Sequence, residues 1–255
     1  MNDLRLAVLW LNDPLNWTGP SGVFSLAGEH LAMTVVAVLL ATVVALPLGV
    51  LLGHGALAPG TTRPGSGRRS GSARRRGGAG AGAGATTVVL ANVSRALPTF
   101  ALLTIFATTG LGFGNRPTVL AAAIFALPVI LANAYAGVVG VDADVRDAAR
   151  GMGLSGRRVL LGVELPLAMP LIATGLRSAT VQVVATIPLA ALVGGGGLGR
   201  IVVEGFGTQR YGQVIAGGFL VAVLCLLVEG ILALGQRLVT PRQMRVTAAS
   251  RRESA

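Results

Sequence analysis

The sequence of 255 residues contains no lysine and a single cysteine, Cys225, and its 21 basic residues are all arginine. A P-loop places a lysine against phosphate in the pattern GxxxxGK[ST], so the chain is not a conventional P-loop ATPase. One cysteine excludes an intrachain disulfide, and the two histidines, His30 and His54, are isolated from other metal-ligand types. No nucleophile is paired with a base. We therefore expect no catalytic residue, no metal and no cofactor in this chain.

Charged residues make up only 12% of the chain and aromatic residues 4%, whereas 53% are hydrophobic and the mean hydropathy is +0.72. This composition indicates a chain that lies in a lipid bilayer. Apolar runs long enough to cross about 30 Å of hydrocarbon as helices occur at 30–52, 88–111, 118–139, 170–193 and 214–236. These runs are continuous and do not alternate with a period of two, so we predict an all-α integral membrane protein with about five transmembrane helices.

The arginines cluster at 63–76, 146–158 and 237–252. These stretches fall in alternate connections between the predicted spans, as is typical of the cytoplasmic side. The opposite connections hold only Arg5, Arg116, Arg200 and Arg210. The chain is therefore predicted to begin outside and end inside, which requires an odd number of spans. No aromatic residues are interleaved with the arginines to stack on bases, so we expect no nucleic-acid partner.

The chain divides into a lead at 1–29, a membrane region at 30–236 and a basic cytoplasmic tail at 237–255. The lead carries Trp10 and Trp17, and it either lies at the outer interface, where tryptophan is favoured, or forms a loosely ordered tail. Its acidic Asp3 and its short apolar run predict no cleavable signal peptide. Residues 53–85 are mostly Gly, Ala, Ser and Arg, which predicts a disordered cytoplasmic loop attracted to anionic lipid headgroups.

A charged segment punctuated by glycine, RDAARGMGLSGRRVLLGVELP at 146–166, lies in the predicted cytoplasmic connection 140–169. Asp142 or Asp144 is suited to cap a first helix, and Ser155 to cap a second. The residues that signal helix ends are Gly151 and Gly153 in the first helix and Pro166 in the second. The segment therefore predicts a compact two-helix hairpin, which either binds a partner or is a connection without one.

This hairpin resembles the EAA signature of permease subunits in bacterial ATP-binding-cassette (ABC) importers. The matching residues are Asp147, Ala148, Ala149, Gly153, Val163, Leu165 and Pro166, at the spacing of the signature. Aspartate replaces the usual glutamate, which keeps the charge and shortens the side chain by one methylene. The resemblance implies that the first helix is a coupling helix that docks into a groove on a cytoplasmic ATPase. The residues implied in this coupling are Asp147, Ala148, Ala149, Arg150, Met152, Gly153, Leu165 and Pro166.

Other stretches resemble the quaternary-amine branch of these importers, which carries glycine betaine, choline, carnitine and related osmoprotectants. They are DPLNWTGPSG at 13–22, ANVSRALPTFALL at 91–103, ALPVILANAYAGV at 126–138, GLRSATVQVVATIPLAALVGGGGLG at 175–199 and the final span. The resemblance implies a permease in the bacterial cytoplasmic membrane, surrounded by lipid. It also implies three protein partners: ABC ATPase subunits that bind ATP and Mg²⁺, an extracytoplasmic solute-binding protein, and a second copy or a related permease.

Two alternatives stay open at this point. An ABC permease for another small solute, such as an amino acid, would carry the same signature. A secondary transporter would carry ionisable residues near the bilayer midplane or inverted repeats, neither of which is clear, and it leaves the spacing of the hairpin unexplained.

Polar residues inside the predicted spans are candidates for a translocation path. One polar residue recurs at every fourth position of the fourth span, so these positions share a helical face. They are Thr174, Ser178, Gln182 and Thr186. Such residues line a path or cement helix packing, as hydroxyl and amide groups do in membranes. Asn133 and Tyr135 on the third span are weaker candidates.

Three charged residues, Arg95, Arg177 and Glu229, are predicted to lie in one layer about 10 to 12 Å from the cytoplasmic ends of their spans. We predict that Glu229 faces the bundle and pairs with an arginine, because an unpaired carboxylate is costly there. Arg95 either joins this layer or extends to the headgroups. The stretch GGGGLG at 194–199 formally matches GxGxxG, but it follows a membrane span, and we interpret it as a flexible outer turn.

Overall fold

The computed structural model describes residues 2–56, 99–110 and 112–239. Its helices are α1 Asn2–Asn12, α2 Val23–Ala56, α3 Thr99–Thr108, α4 Asn115–Val139, α5 Ala143–Gly151, α6 Gly156–Val159, α7 Leu165–Thr186, α8 Gly199–Gly207 and α9 Tyr211–Val239. A π-helical turn, Leu160–Glu164, joins α6 to α7, and 3-10 turns occupy Pro14–Asn16 and Ile187–Val193. The predicted all-α membrane class is confirmed.

Four stretches within the described residues are long and apolar enough to cross a membrane: Val23–Ala56, Asn115–Val139, Gly156–Val193 and Tyr211–Arg237. Half of the predicted span 88–111 lies outside the described residues, which show α3 from it. Arg95, most of the 53–85 loop and the tail after residue 239 also lie outside the described residues. The number of five spans and their orientation therefore stay predictions.

The N-terminal lead is folded against the bundle. Helix α2 begins at Val23, so the boundary predicted at residue 30 falls inside a helix. Helix α1 packs against α9, where a Cβ added to Gly212 would lie 2.6 Å from the Cβ of Leu6. The indole N–H of Trp17 donates to the Leu11 carbonyl (2.7 Å), which holds the turn between α1 and α2. The alternative of a loosely ordered tail is therefore wrong for these residues.

Helix α4 lies between α2 and α7, and small residues form both contacts. Every fourth residue along the α4-facing side of α2 is alanine or glycine: Ala37, Ala41, Ala45, Gly49 and Gly53. All of them are buried. A Cβ added to Gly49 would lie 2.7 Å from the Leu131 carbonyl oxygen and 2.8 Å from the Ala134 Cβ. The α2 and α4 backbones thus approach each other as closely as small-residue motifs allow in membranes.

The contact between α4 and α7 follows the same rule. A Cβ added to Gly137 of α4 would lie 3.1 Å from the carbonyl oxygen of Ala168 on α7. Gly175 of α7 faces Asn133 of α4 so closely that a Cβ there would overlap the Asn133 side chain. Close packing of this kind replaces the hydrophobic effect, which cannot drive helices together inside hydrocarbon.

Large apolar side chains lie on the outside of the bundle. On α2 and α9 the exposed ones include Leu39, Val43, Leu51, Leu226, Leu227, Ile231 and Leu234. Small residues inside and leucine outside are the reverse of a water-soluble bundle, and they are what a lipid solvent favours.

A histidine ties α2 to α7 inside this core. His30 is fully buried, and its Nε2–H donates to the Val184 carbonyl at 2.9 Å. The neighbouring Thr34 hydroxyl donates to the His30 carbonyl at 2.9 Å. The hydrogen bond from His30 fixes the position of α2 along the axis of α7.

Replacing Gly49 by alanine is expected to destabilise the bundle by about 1 to 3 kcal/mol, because the new methyl group meets backbone atoms that cannot move aside. Gly55→Ala on the same helix is the matched control, since nothing lies within 4 Å of a Cβ there. Thermal unfolding in detergent micelles measures both. Equal unfolding temperatures for the two variants would show that the close approach of α2 and α4 does not determine the stability of the bundle.

Candidate functional site

Helix α5 begins with the predicted cap. The Asp142 carboxylate accepts the backbone N–H of Asp144 at 3.0 Å, which satisfies a donor at the helix start. Asp144 in the first turn also favours the positive end of the helix dipole. Of the two aspartates considered, Asp142 is the cap.

Helix α5 ends at the predicted glycines. Met152 donates its N–H to the Ala148 carbonyl at 3.0 Å, and Gly153 donates to the Arg150 carbonyl at 2.9 Å. Gly153 has φ +81°, a left-handed conformation that glycine adopts without steric cost. Gly151 is the last helical residue and does not have a positive φ.

One face of α5 is exposed and the other is packed on the protein. Arg146 and Ala149 are buried, whereas Asp147 and Ala148 are exposed and Met152 is 76% exposed. Arg150 lies 3.8 Å from Asp147 along the helix. The exposed face therefore offers an acidic residue, a small residue and a flexible apolar one to a partner.

The second half of the hairpin differs from the prediction. Ser155 occupies the cap position of α6, but within the described residues its side chain makes no capping hydrogen bond. The helix does not end at Pro166. The Leu165 N–H donates to the Leu160 carbonyl in the π-helical turn, and Pro166 follows near the start of α7. The wide turn accommodates the proline, so Gly156–Val193 is one continuous helical stretch and Leu165 and Pro166 lie inside it.

A side-chain hydrogen bond joins this hairpin to the first span. His54, in the last turn of α2, places Nδ1 2.6 Å from Oε2 of Glu164 in the π-helical turn, and the N–H donates to the carboxylate. Glu164 is fully buried, and its Oε1 has no partner within the described residues. A Cβ added to Gly156 of α6 would lie 3.7 Å from His54 Nε2. No sequence pattern links His54 to Glu164 across 110 positions, so the sequence predicted no role for either residue.

The four polar positions of α7 share a half-exposed face, as their spacing predicts. The hydroxyls of Thr174 and Thr186 donate to carbonyls of their own helix, at 2.8 Å to Pro170 and 3.0 Å to Gln182. Ser178 and Gln182 make no side-chain hydrogen bond within the described residues. Asn133 is held at the α4–α7 contact and donates to the Val129 carbonyl at 2.8 Å, and Tyr135 is half-buried. A path along these residues stays a prediction.

The predicted partner of Glu229 is Arg177. The Arg177 Nε–H donates to Glu229 Oε1 at 2.8 Å, its Nη2 forms a second contact with the same oxygen, and its Nη1–H donates to Gln236 Oε1 at 3.1 Å. The Gln236 amide in turn donates to the Thr174 hydroxyl at 2.7 Å. This network connects α7 to α9 and satisfies charges that would be costly in a membrane.

The glycine-rich turn at the opposite end of the bundle is fixed, so the interpretation of GGGGLG as a flexible turn is wrong. The Gly197 N–H donates to Glu29 Oε2 at 3.2 Å, and the Gly196 N–H donates to Asn115 Oδ1 at 2.7 Å. Asn115 Nδ2–H donates to Glu29 Oε1 at 2.6 Å. A Cβ at Gly196 would overlap the Glu29 carboxylate, which explains glycine there. Sequence reasoning missed Glu29 and Asn115.

A metal ion in a protein needs a group of ligand side chains that lie close together. Across residues 2–56, 99–110 and 112–239, no three His, Cys, Asp or Glu side chains group as metal ligands.

A family model described as "Binding-protein-dependent transport system inner membrane component" matches residues 83–241. The glycine betaine/carnitine/choline transport system permease protein OpuCB of Bacillus subtilis is 32% identical, over 86% of this chain and 88% of that protein. The choline transport system permease protein OpuBB of the same organism is 31% identical over 85% and 88%. The osmoprotectant import permease protein OsmW of Salmonella typhimurium is 30% identical over 87% and 93%.

Solved structures show the same fold. A chain from an inward-facing structure of the MetNI methionine ABC transporter, in its CY5 native crystal form, has a TM-score of 0.69. It is 22% identical, and the match covers 90% of this chain and 100% of that chain. A chain from an amino acid ABC transporter crystallised with histidines has a TM-score of 0.61 at 18% identity, over 84% of this chain and 92% of that one.

Replacing His54 by alanine is expected to cost roughly 1 to 3 kcal/mol of stability, because the buried Glu164 carboxylate loses its donor. The double variant His54→Ala/Glu164→Leu is expected to recover most of this loss, since it removes both polar partners. Thermal unfolding in micelles compares the two with the unchanged protein. If the double variant is no more stable than the single one, the His54–Glu164 hydrogen bond does not explain the effect.

Proposed function

We propose, since the chain belongs to the family of binding-protein-dependent transport system inner membrane components, that it is the permease subunit of an ATP-driven importer of quaternary-amine osmoprotectants. The family match agrees with the importer signature that the sequence predicts at residues 147–166. The observation that carries the proposal is α5, a capped helix with an exposed face that ends at a left-handed glycine at the signature position. Permeases of this family are integral membrane components, and a separate ATPase hydrolyses ATP.

The exposed face of α5 is proposed to dock into a groove on the cytoplasmic ATPase. Asp147, Ala148 and Met152 lie on this face, and Ala148 and the flanking glycines allow a partner surface to approach the backbone closely. The burial of Arg146 and Ala149 on the opposite face keeps the helix attached to the permease. ATP and Mg²⁺ would be bound by the ATPase.

Movement of α5 would reach the membrane helices by two routes. The first is covalent, through α6 and the π-helical turn into α7. The second is the His54–Glu164 pair, which links the same turn to the end of α2. Because α2 and α7 both pack against α4, a shift of the hairpin would move the whole three-helix core as a body, as alternating access requires.

The substrate class follows the curated relatives. The relatives named above, at 30 to 32% identity over most of both chains, are named for glycine betaine, carnitine, choline or osmoprotectant transport. The methionine and amino acid transporters match at 18 to 22% identity, which establishes the shared fold alone. Amino acids are therefore the second candidate, and the osmoprotectants the first. An extracytoplasmic binding protein would deliver the solute.

A second permease, either a copy of this chain or a related one, is proposed to face the polar side of α7. The side chains of Ser178 and Gln182 lie half-exposed there and make no hydrogen bond within the described residues. Polar groups of this kind are costly against lipid, and a second subunit would cover them and enclose a polar path between the two chains.

Gly153→Ala is expected to reduce recovery of the ATPase with the tagged permease severalfold, because alanine at positive φ costs roughly 1 to 2 kcal/mol and turns the end of α5. Gly151→Ala is the matched control. Neither glycine has an atom within 4 Å of an added Cβ, and only Gly153 has a positive φ. Co-purification measured by quantitative immunoblotting distinguishes them. Equal recovery with both variants would contradict docking through the end of α5.

Liposomes that contain the permease and its ATPase, supplied with the binding protein, are expected to take up radiolabelled glycine betaine in the presence of ATP. Uptake should require all three components, because the permease has no ATPase of its own. Excess unlabelled choline or carnitine should compete, and methionine should not. ATP-dependent uptake of an amino acid without uptake of glycine betaine would replace the first candidate by the second.

A further inference from the structure

A cavity of about 780 Å³ opens at the end of the bundle opposite α5. Its wall includes the fixed glycine-rich turn and six larger side chains: Glu29, Phe113, Asn115, Arg116, Arg200 and Glu204. A concave site with a few convergent polar groups is the common form of a small-ligand site. The volume exceeds that of a small zwitterion, so water would share it with a bound solute.

Glu29 brings an unneutralised negative charge to this cavity. Each of its oxygens already accepts a hydrogen bond from a neutral donor, Asn115 Nδ2 or the Gly197 N–H. No cationic side chain of the described residues lies within 4 Å of it. Both carboxyl oxygens are thus engaged by neutral donors, and no cationic side chain pairs with the group. Such a group suits a cation that has no N–H to donate.

The guanidinium of Arg116 lies on the same cavity wall and does not pair with Glu29. Arg200 and Glu204 pair with each other at 3.3 Å along α8 and so neutralise one another. Arg116, in the first turn of α4, is exposed and has no acidic partner within 4 Å in the described part of the chain. The cavity wall therefore holds one carboxyl group and one guanidinium that do not pair with each other within 4 Å.

Phe113 adds an aromatic surface at the rim. It is 76% exposed and lies beside the glycine-rich turn, where a Cβ added to Gly194 would be 3.6 Å from the Phe113 Cβ. An exposed phenylalanine ring attracts a cation over its face.

We propose that this cavity binds a zwitterion that carries a quaternary ammonium and a carboxylate, with the ammonium toward Glu29 and Phe113 and the carboxylate toward Arg116. The inference rests on the proposed function and assigns its solute a site on the permease itself. A quaternary ammonium has no hydrogen to donate, so it needs the charge of Glu29 and not a free acceptor. The carboxylate of the solute matches the paired N–H groups of a guanidinium.

The test measures direct binding of radiolabelled glycine betaine and radiolabelled choline, each at millimolar concentration, to the permease–ATPase complex in nanodiscs without the binding protein. Choline has the quaternary ammonium and lacks the carboxylate. Arg116→Gln is expected to weaken glycine betaine binding about tenfold, the scale of one lost charge contact, and to leave choline binding unchanged. Glu29→Gln is expected to weaken binding of both ligands. Arg5→Gln, an exposed arginine on α1, is the control and should change neither.

A second variant separates the charge of Glu29 from its role in holding the turn. Asn115→Ala removes hydrogen bonds to Glu29 and to Gly196 and keeps the carboxylate. If Asn115→Ala weakens choline binding as much as Glu29→Gln does, Glu29 acts as a structural clamp and the proposal is wrong. It is also wrong if Arg116→Gln affects both ligands equally, or if the unchanged complex binds neither ligand while the liposomes still import glycine betaine. Failure of import itself would instead overturn the proposed function.

Discussion

The close approach of α4 to α2 and α7 is the constraint on which the rest of the structure depends. Inside hydrocarbon, apolar side chains gain nothing by leaving lipid for protein, so helices associate where their backbones come near enough for dense packing. Alanine and glycine on α2 and glycine on α7 provide that nearness. With these three helices locked, their two ends become fixed platforms. One end carries the α5 hairpin and the other carries the glycine-rich turn.

Each end is held by a carboxylate that binds a segment distant in sequence. Glu164 joins the hairpin to His54 at the end of α2, and Glu29 joins the start of α2 to the turn after α7. The Glu29 carboxylate lies beside Gly196, where a side chain would leave no room for it. A hairpin proposed to couple to an ATPase and a turn that borders a cavity both need a defined position, and hydrogen-bonded carboxylates supply it at low local dielectric.

Polar side chains are exposed on one side of the helical bundle that this chain forms. Leucine covers the faces of α2 and α9 that meet lipid, whereas α7 exposes a row of hydroxyl and amide groups, and the Arg177–Glu229 network remains partly open. Lipid chains suit the leucine-covered faces of α2 and α9, but they offer no hydrogen-bond partner to the polar groups of α7. The proposed pairing with a second permease would account for this asymmetry, because a second subunit would supply the polar environment that the bilayer lacks.

The sequence alone determined the membrane class, the first helix of the hairpin and the family, because these depend on patterns that are local in the chain. Apolar length, glycine at a helix end and an aspartate cap are each visible within a few residues. Asp142, Gly153 and the half-exposed row on α7 lie where the sequence placed them. The tertiary structure decided the rest. It ran α7 through Pro166 by a wide turn, folded the lead onto α9, and brought His54 to Glu164 and Glu29 to Gly197. The last two contacts join residues more than a hundred positions apart, and the packing of the helices, not a local pattern, determines that they meet.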